Sequence, residues 1–303
     1  PINETYTKPL KNETWIRIDT SKNSEIEKFT HLLDNFFLPN YIFKYKYNTE
    51  FIKWILNSPY KHFKSLRNID KQLWSSLLAK NGKIVASITS RPLQLVIKNI
   101  TCNTFYVDYL CITKSERGKR LAPRMIMKDG PAIWAENQDC DENKLGEHYF
   151  GHFNMYIFKK DRFSLPFRYM CRYSYYYLNI KDVMSRKRSL DKLNFEEHWK
   201  YEYKKLNSEN LNSAYHYFKQ KVETYKVYQN FTLDEFKYLF LNDIMICYLC
   251  VDGEHIKGFT SFYNNQFISI DINKNKTGTC CDLFYIFGDD LTELVNWTFF
   301  EVN

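Results

Sequence analysis

Glycine is scarce in this chain, with nine among 303 residues, and proline is scarcer still at eight. Collagen-like and linker-rich classes need both in quantity and are excluded. Long apolar runs are missing as well. No stretch approaches the roughly 20 residues of a membrane-crossing helix. The opening Pro1-Ile2-Asn3-Glu4-Thr5-Tyr6 has no apolar signal segment. A soluble, cytoplasmic protein without stable membrane insertion is therefore expected. What the chain does have is aromatic mass: 24 tyrosines and 24 phenylalanines, within a hydrophobic share of 44%. Intrinsic disorder is excluded by that content, and the length suffices for one large domain or two moderate ones.

The formal charge of +8 admits nucleic acid, anionic membranes or phosphorylated small molecules as partners. The basic residues are scattered, however, and the one dense run, Arg186-Lys187-Arg188, reads as a solvated loop. Nucleic acid is not the expected partner. The eight cysteines should be reduced in an intracellular protein. Cys247-x-x-Cys250 followed by Cys280-Cys281 has zinc-like spacing, but 244–251 reads as a buried strand, and adjacent cysteines on a strand point to opposite faces. Core thiols are the better reading. Cys140, His148 and His152 form a looser trio, and no metal is expected.

The strongest organisational signal is an internal duplication. Residues 49–57 carry apolar positions at helical spacing. A strand at 72–78, Asn81-Gly82 and a second strand at 84–90 follow. Asn-Gly between apolar runs marks a hairpin, because both turn residues need positive φ. The second half repeats the order with a helix at 234–242, a strand at 244–251, Asp252-Gly253 and a strand ending at 259–263. Third strands at 106–112 and 281–287 each lead into a helix, near 121–128 and 291–302. Each half is thus expected to be an α/β unit on a mixed sheet, the two sharing a core with a groove between them.

Between the third strand and the next helix of the first half lies Lys114-Ser115-Glu116-Arg117-Gly118-Lys119-Arg120-Leu121-Ala122-Pro123. A glycine turn at a helix start aims backbone N–H groups outward, and three basic side chains add to the helix dipole. That combination suits a pyrophosphate. The counterpart, Gly288-Asp289-Asp290-Leu291, is acidic, so only one half is expected to bind an anion.

Tyr109-Leu110-Cys111-Ile112 followed by Arg117-Gly118-Lys119-Arg120-Leu121-Ala122-Pro123 resembles the N-myristoyltransferase signature, Phe-Leu-Cys-Val and then Arg-Ser-Lys-Arg-Leu-Ala-Pro. Leu165-Pro166 and the block from Cys171 to Asn179 are similar to that family's Cys-Arg-Tyr-Trp-His-Arg-Ser-Leu-Asn. Phe43-Lys44-Tyr45-Lys46-Tyr47 and Thr260-Ser261-Phe262-Tyr263 lie in family order. The resemblance implies two tandem acetyltransferase-like (GNAT-like) units of α/β, or α+β, class. Residues 1–178 would bind myristoyl-CoA and residues 179–303 would form the peptide side.

It further implies transfer of myristate from myristoyl-CoA, as co-substrate, to the N-terminal glycine of partner proteins. Backbone N–H groups of Tyr109 and Leu110 would form the oxyanion hole, with Cys111 and Ile112 along the pantetheine. CoA phosphates would meet Arg117, Gly118, Lys119, Arg120, Leu121 and Ala122, next to Pro123. Phe43, Tyr45, Tyr173, Tyr263 and Tyr285 would line the peptide groove. The family's base is its C-terminal carboxylate, which here falls to Asn303, with Asp282 or Asp289 as alternative acids. Leu38-Pro39-Asn40-Tyr41-Ile42 replaces the family's acidic loop and Tyr175 its histidine, so substrate preference should differ. Transfer of a short acyl group from acetyl-CoA, and a non-catalytic acyl-CoA-binding protein of the same fold, are the other readings.

Overall fold

A computed structural model of the chain describes residues 9–37, 43–57, 75–125, 149–151, 199–269 and 277–301. The first half runs β1 (Glu13–Arg17), α1 (Asn23–Phe36), β2 (Phe43–Lys46), α2 (Thr49–Leu56), β3 (Ser75–Lys80), β4 (Lys83–Ile97), β5 (Ile100–Ile112) and a helical segment at 121–125. After β6 (Tyr149–Gly151) the same order returns: β7 (Glu202–Lys205), α3 (Leu211–Val222), β8 (Val227–Gln229), α4 (Leu233–Phe240), β9 (Met245–Asp252), β10 (His255–Ser269), β11 (Thr277–Gly288) and α5 (Leu291–Glu301). The duplication is therefore longer than its sequence signal, beginning two strands and a helix earlier in each half.

Asn81 and Gly82 take φ of 50° and 75° between β3 and β4, the positive-φ pair that a two-residue hairpin requires. Sheet order is β1-β3-β4-β5-β6 in the first half and β11-β10-β9-β7 in the second. The first sheet is mixed, through the parallel β5–β6 pair; the described strands of the second are all antiparallel.

The halves exchange strands. β2 leaves its own half to pair with the far end of β10, and β8 pairs with the far end of β4. At the crossing, Trp54 of α2 donates its indole N–H to the Tyr238 carbonyl of α4 at 3.3 Å. The Tyr238 hydroxyl answers to the Trp54 carbonyl at 2.8 Å. α4 starts at a capping box, Thr232 with Glu235, which satisfies two N–H groups that a helix start leaves open.

One buried cluster draws on both halves, combining Phe29, Ile52 and Tyr109 with Phe218, Phe236 and Phe259. A smaller one on the other face of the first sheet packs Leu121 and Met125 against Leu78, Ala86 and Ile88. Cys247 and Cys250 stand on opposite faces of β9. Cys247 turns its thiol to the Phe240 carbonyl at 3.3 Å, as befits a core thiol. Cys140, His148 and His152 lie outside the described residues. No helix among the described residues is long and apolar enough to cross a membrane.

Candidate active site

The ladder between β4 and β5 breaks at one point. Ser87 is opposite Cys111 and Thr89 opposite Asp108, so Ile88 alone faces both Tyr109 and Leu110. Tyr109 has φ of 49°, a left-handed conformation rare for a bulky residue and characteristic of sites where a bulge re-aims backbone groups. Carbonyls freed by the bulge are taken by buried hydroxyls. Ser87 Oγ donates to the Tyr109 carbonyl at 2.8 Å and Thr89 Oγ1 to the Asp108 carbonyl at 3.2 Å. The Tyr109 N–H donates to Asp108 Oδ1 at 2.7 Å.

β6 pairs with β5 only at Phe105, Tyr106 and Val107. Beyond them, the β5 edge from Asp108 to Ile112 has no strand partner among the described residues. An open edge beside a bulge can accept an extended amide-bearing ligand as an added strand.

The Tyr109 ring is buried against Phe29 and Tyr47, at 5.8 and 5.7 Å between ring centres. Burial, reinforced by Asp108, holds the phenols of Tyr47 and Tyr109 well above the usual tyrosine range. Leu110 packs with Ile112 against the Leu121 cluster. Cys111 points its thiol into the core towards the Leu32 carbonyl, and burial pushes it up to about 12, which makes it no nucleophile. Only the backbone of Cys111 is offered to a ligand.

The basic turn is built as much as it is charged. Gly118 and Arg120 both have positive φ, 81° and 60°. No carbonyl among the described residues outside the helix accepts from the N–H groups of 118–122. Arg117 is exposed, yet its guanidinium is engaged by backbone carbonyls of the protein. Its Nε donates to the Ile112 carbonyl at 3.0 Å and its NH2 to the Phe36 carbonyl at 2.7 Å, tying the turn to β5 and α1. Lys119 pairs with Glu116 at 3.0 Å, and Lys80 shares that carboxylate at 3.2 Å. Arg120 is exposed and has no partner among the described residues, which leaves it as the available cation. Leu121 is buried; Ala122 and Pro123 lie half-buried in the first helical turn. Arg124 anchors that turn to β1 through Glu13, at 2.8 Å.

The acidic counterpart in the second half is tied up. Asp289 binds Lys221 at 2.8 Å, and the Asp290 side chain accepts the Glu293 N–H at 3.1 Å at the start of α5. Asp289 is thereby held below the usual carboxylate range.

Of the groove candidates, Tyr45 and Tyr263 come together around Asp282. The Tyr45 hydroxyl donates to Asp282 at 3.2 Å, and Tyr263 is its cross-strand neighbour. Phe51 stacks on Tyr263 with ring centres 5.1 Å apart. Tyr285 instead packs with Phe218 and Phe240 in the second-half core. Phe43 contributes a backbone pair with Ser269. Tyr173 and Asn303 lie outside the described residues. Sequence reasoning missed Asp108, Arg91 and Tyr47. Arg91 has its guanidinium 4.9 Å from the centre of the Tyr106 ring, and its charge is felt at Tyr109 and Tyr263. A charged residue directly before Tyr109, in an otherwise apolar run, was the available signal for Asp108.

Residues 2–129 match the family model of myristoyl-CoA:protein N-myristoyltransferase, N-terminal domain, and residues 172–299 match its C-terminal domain. The chain belongs to the N-myristoyltransferase family. Glycylpeptide N-tetradecanoyltransferase of Ajellomyces capsulatus is 27% identical over 116 residues, covering 37% of this chain and 20% of the relative. Glycylpeptide N-tetradecanoyltransferase 1 of Arabidopsis thaliana is 28% identical over 138 residues, covering 44% of this chain and 30% of the relative. The matched segments thus span less than a third of these relatives' own lengths. Saccharomyces cerevisiae N-myristoyltransferase, in a crystal structure with bound myristoyl-CoA, superposes with a TM-score of 0.69 at 21% identity. That match covers 93% of this chain and 68% of the yeast chain and establishes a shared fold.

Proposed function

We propose that the protein transfers myristate from myristoyl-CoA to the N-terminal glycine of other proteins. The observation that carries this reading is the bulge at Tyr109-Leu110 placed one short segment before the basic turn at 117–120. The turn fits a pyrophosphate: open N–H groups at a helix start, two positive-φ residues and the exposed Arg120. Pantetheine would run along the open β5 edge past Cys111 and Ile112, and residues 1–178 would carry the acyl-CoA side. The thioester carbonyl oxygen would meet the N–H groups of Tyr109 and Leu110, which stabilise the charge that grows there during attack. Each preorganised donor of this kind contributes on the order of 10²–10³ in rate. Tyr45 and Tyr263, on the face of β2 and β10, would receive the peptide from the 179–303 side.

One feature favours a second reading, a non-catalytic acyl-CoA-binding protein. Asp108 Oδ1 already accepts the Tyr109 N–H, so a thioester oxygen must compete with a carboxylate for that donor. Incubation with radiolabelled myristoyl-CoA and a peptide beginning with glycine separates the two. Labelled peptide supports the transferase. Tight myristoyl-CoA binding with no label transferred supports the binding protein, and preference for acetyl-CoA would replace the long-chain assignment.

A further inference from the structure

Two charged side chains beside the Tyr109 bulge have no part in the reading above. Asp108 Oδ1 accepts the Tyr109 N–H at 2.7 Å, so the donor assigned to the thioester oxygen is already occupied by the carboxylate of the preceding residue. Arg91 is the second. Its Nε is buried and has no hydrogen-bond partner, and its guanidinium carbon lies 4.9 Å from the centre of the Tyr106 ring. No ion pair among the described residues includes it. A ring face attracts a guanidinium but does not fill its fork of N–H donors, which matches a carboxylate. A buried donor of a charged group left unmatched costs stability.

The strand register puts the two within reach of each other. Arg91 is opposite Tyr106, and Thr89 is opposite Asp108. Side chains alternate along a strand, so these four share one face of the first sheet. Arg91 and Asp108 are diagonal neighbours on it, with Cα atoms roughly 7–8 Å apart, a spacing that long side chains bridge. Both are half-buried, and both charges act on the phenols of Tyr109 and Tyr263, in opposite senses. The Asp108 backbone is held separately, its carbonyl accepting from Thr89 Oγ1 at 3.2 Å. The carboxylate can therefore turn about its own side-chain bonds while the strand stays in place.

We propose that Asp108 and Arg91 form a two-position latch on the Tyr109 N–H, with Arg91 drawing the carboxylate away when an acyl-CoA thioester arrives. The inference rests on the transferase reading. In the closed position the carboxylate satisfies the N–H, as observed. In the open position it turns to Nε and a terminal N–H of Arg91, and the thioester oxygen takes the vacated donor. No covalent bond changes; one hydrogen bond is exchanged for two. A carboxylate left on the donor would exclude the thioester oxygen and repel the charge growing on it. Pairing with Arg91 both moves and neutralises that carboxylate. The acyl-CoA shifts the equilibrium because only the open position accommodates its carbonyl. Arg91 is thus a positioning residue, acting through Asp108 without touching the thioester.

The test compares the full chain with Arg91→Met and with Arg91→Met/Asp108→Asn in single-turnover transfer from radiolabelled myristoyl-CoA to a peptide beginning with glycine. Arg91→Met keeps bulk against Tyr106 and leaves Asp108 on the donor, so transfer should slow by on the order of 10²-fold. The double variant replaces the carboxylate by a weaker, neutral acceptor and should recover at least about tenfold of that loss. An arginine that merely supports the fold would give no such recovery. Wild-type rate in Arg91→Met overturns the proposal, and so does a double variant no faster than Arg91→Met. A second readout needs no transfer: calorimetric affinity for myristoyl-CoA against the thioether of the same chain length, which lacks the carbonyl. The wild type should prefer the thioester, Arg91→Met should lose that preference, and the double variant should regain it. Should Arg91→Met not fold, Asp108→Asn alone is expected to widen the preference severalfold, and an unchanged preference counts against the latch. If the wild type transfers no label, the transferase reading fails and the latch is judged by this preference; a wild type that shows none ends it.

Discussion

Asp108 and Asp282 occupy the same register position in the two halves of the molecule. Each precedes a bulge in which two residues face one: Tyr109 and Leu110 opposite Ile88, and Leu283 and Phe284 opposite Phe262. Ser87 and Ser261 stand at equivalent places, and both hydroxyls reach the bulged strand. The duplication thus carries a bulge as well as an element order. The copies have diverged in backbone: Tyr109 is left-handed and Leu283 is not. In the first half the carboxylate closes onto the N–H of the bulge, while in the second it is held by Asn265 and Tyr45.

The basic turn at 117–120 should respond unequally to charge reversal. Arg120→Glu acts on the exposed cation and should weaken myristoyl-CoA binding at least tenfold, about 1.4 kcal/mol. Lys119→Glu, whose side chain is already paired with Glu116, should cost less. Isothermal titration of both variants gives the comparison, and equal losses would contradict the placement.

Removing the Ser87 hydroxyl tests the bulge. Ser87→Ala leaves the Tyr109 carbonyl without its buried donor, a loss of about 1–3 kcal/mol in stability. Transfer should slow as Tyr109 and Leu110 lose their fixed geometry. Denaturant melts and single-turnover rates on the same variant check both effects.

Asp282→Asn should stabilise the fold at neutral pH. A carboxyl raised above 3.8 in the folded state contributes stability that is full below that value and lost as the pH rises through the folded value. The asparagine variant should therefore melt higher than wild type at neutral pH, and its advantage should disappear as the pH falls towards 3.8. Thermal melts across that range decide it, and a lower Tm at neutral pH would argue that Asp282 is structural.

Glu13 should behave in the opposite sense. The hydrogen bond from Arg124 holds its carboxyl below 4.5, so the stability it adds is present above that value and lost as the pH falls through the folded one. Its side chain is 4% exposed and that of Arg124 10%. Glu13→Gln should cost about 2 kcal/mol at neutral pH and flatten the acid limb of a urea-melt profile.

Because β2 completes the second sheet and β8 extends the first, neither half contains its own full set of strands. Residues 1–178 and 179–303 expressed separately should lack cooperative thermal transitions, and mixing them should restore one. Circular dichroism reads the outcome.

The hairpins, the third strands and the order of elements were legible because their signals are local. Asn81-Gly82 can turn at positive φ, and apolar runs on either side fix the strands. The short strands β2 and β8 were not legible as strands of the opposite half, since a partner that is distant in sequence leaves no mark in three or four residues. The basic turn was legible as an anion site, but not the role of each cation. Arg117 looks like a phosphate ligand in one dimension and is a staple to Ile112 and Phe36 in three.

Sequence alone determined the family, the duplicated α/β units and the address of the basic turn, because residue type and spacing along the chain carry those properties. Tertiary structure decided which groups meet. It put Tyr109 into a left-handed bulge, closed Asp108 onto its N–H, and brought Tyr45 and Asn265 onto Asp282. Electrostatic character depends on burial and on neighbours across strands, and both exist only once the two halves have exchanged their strands.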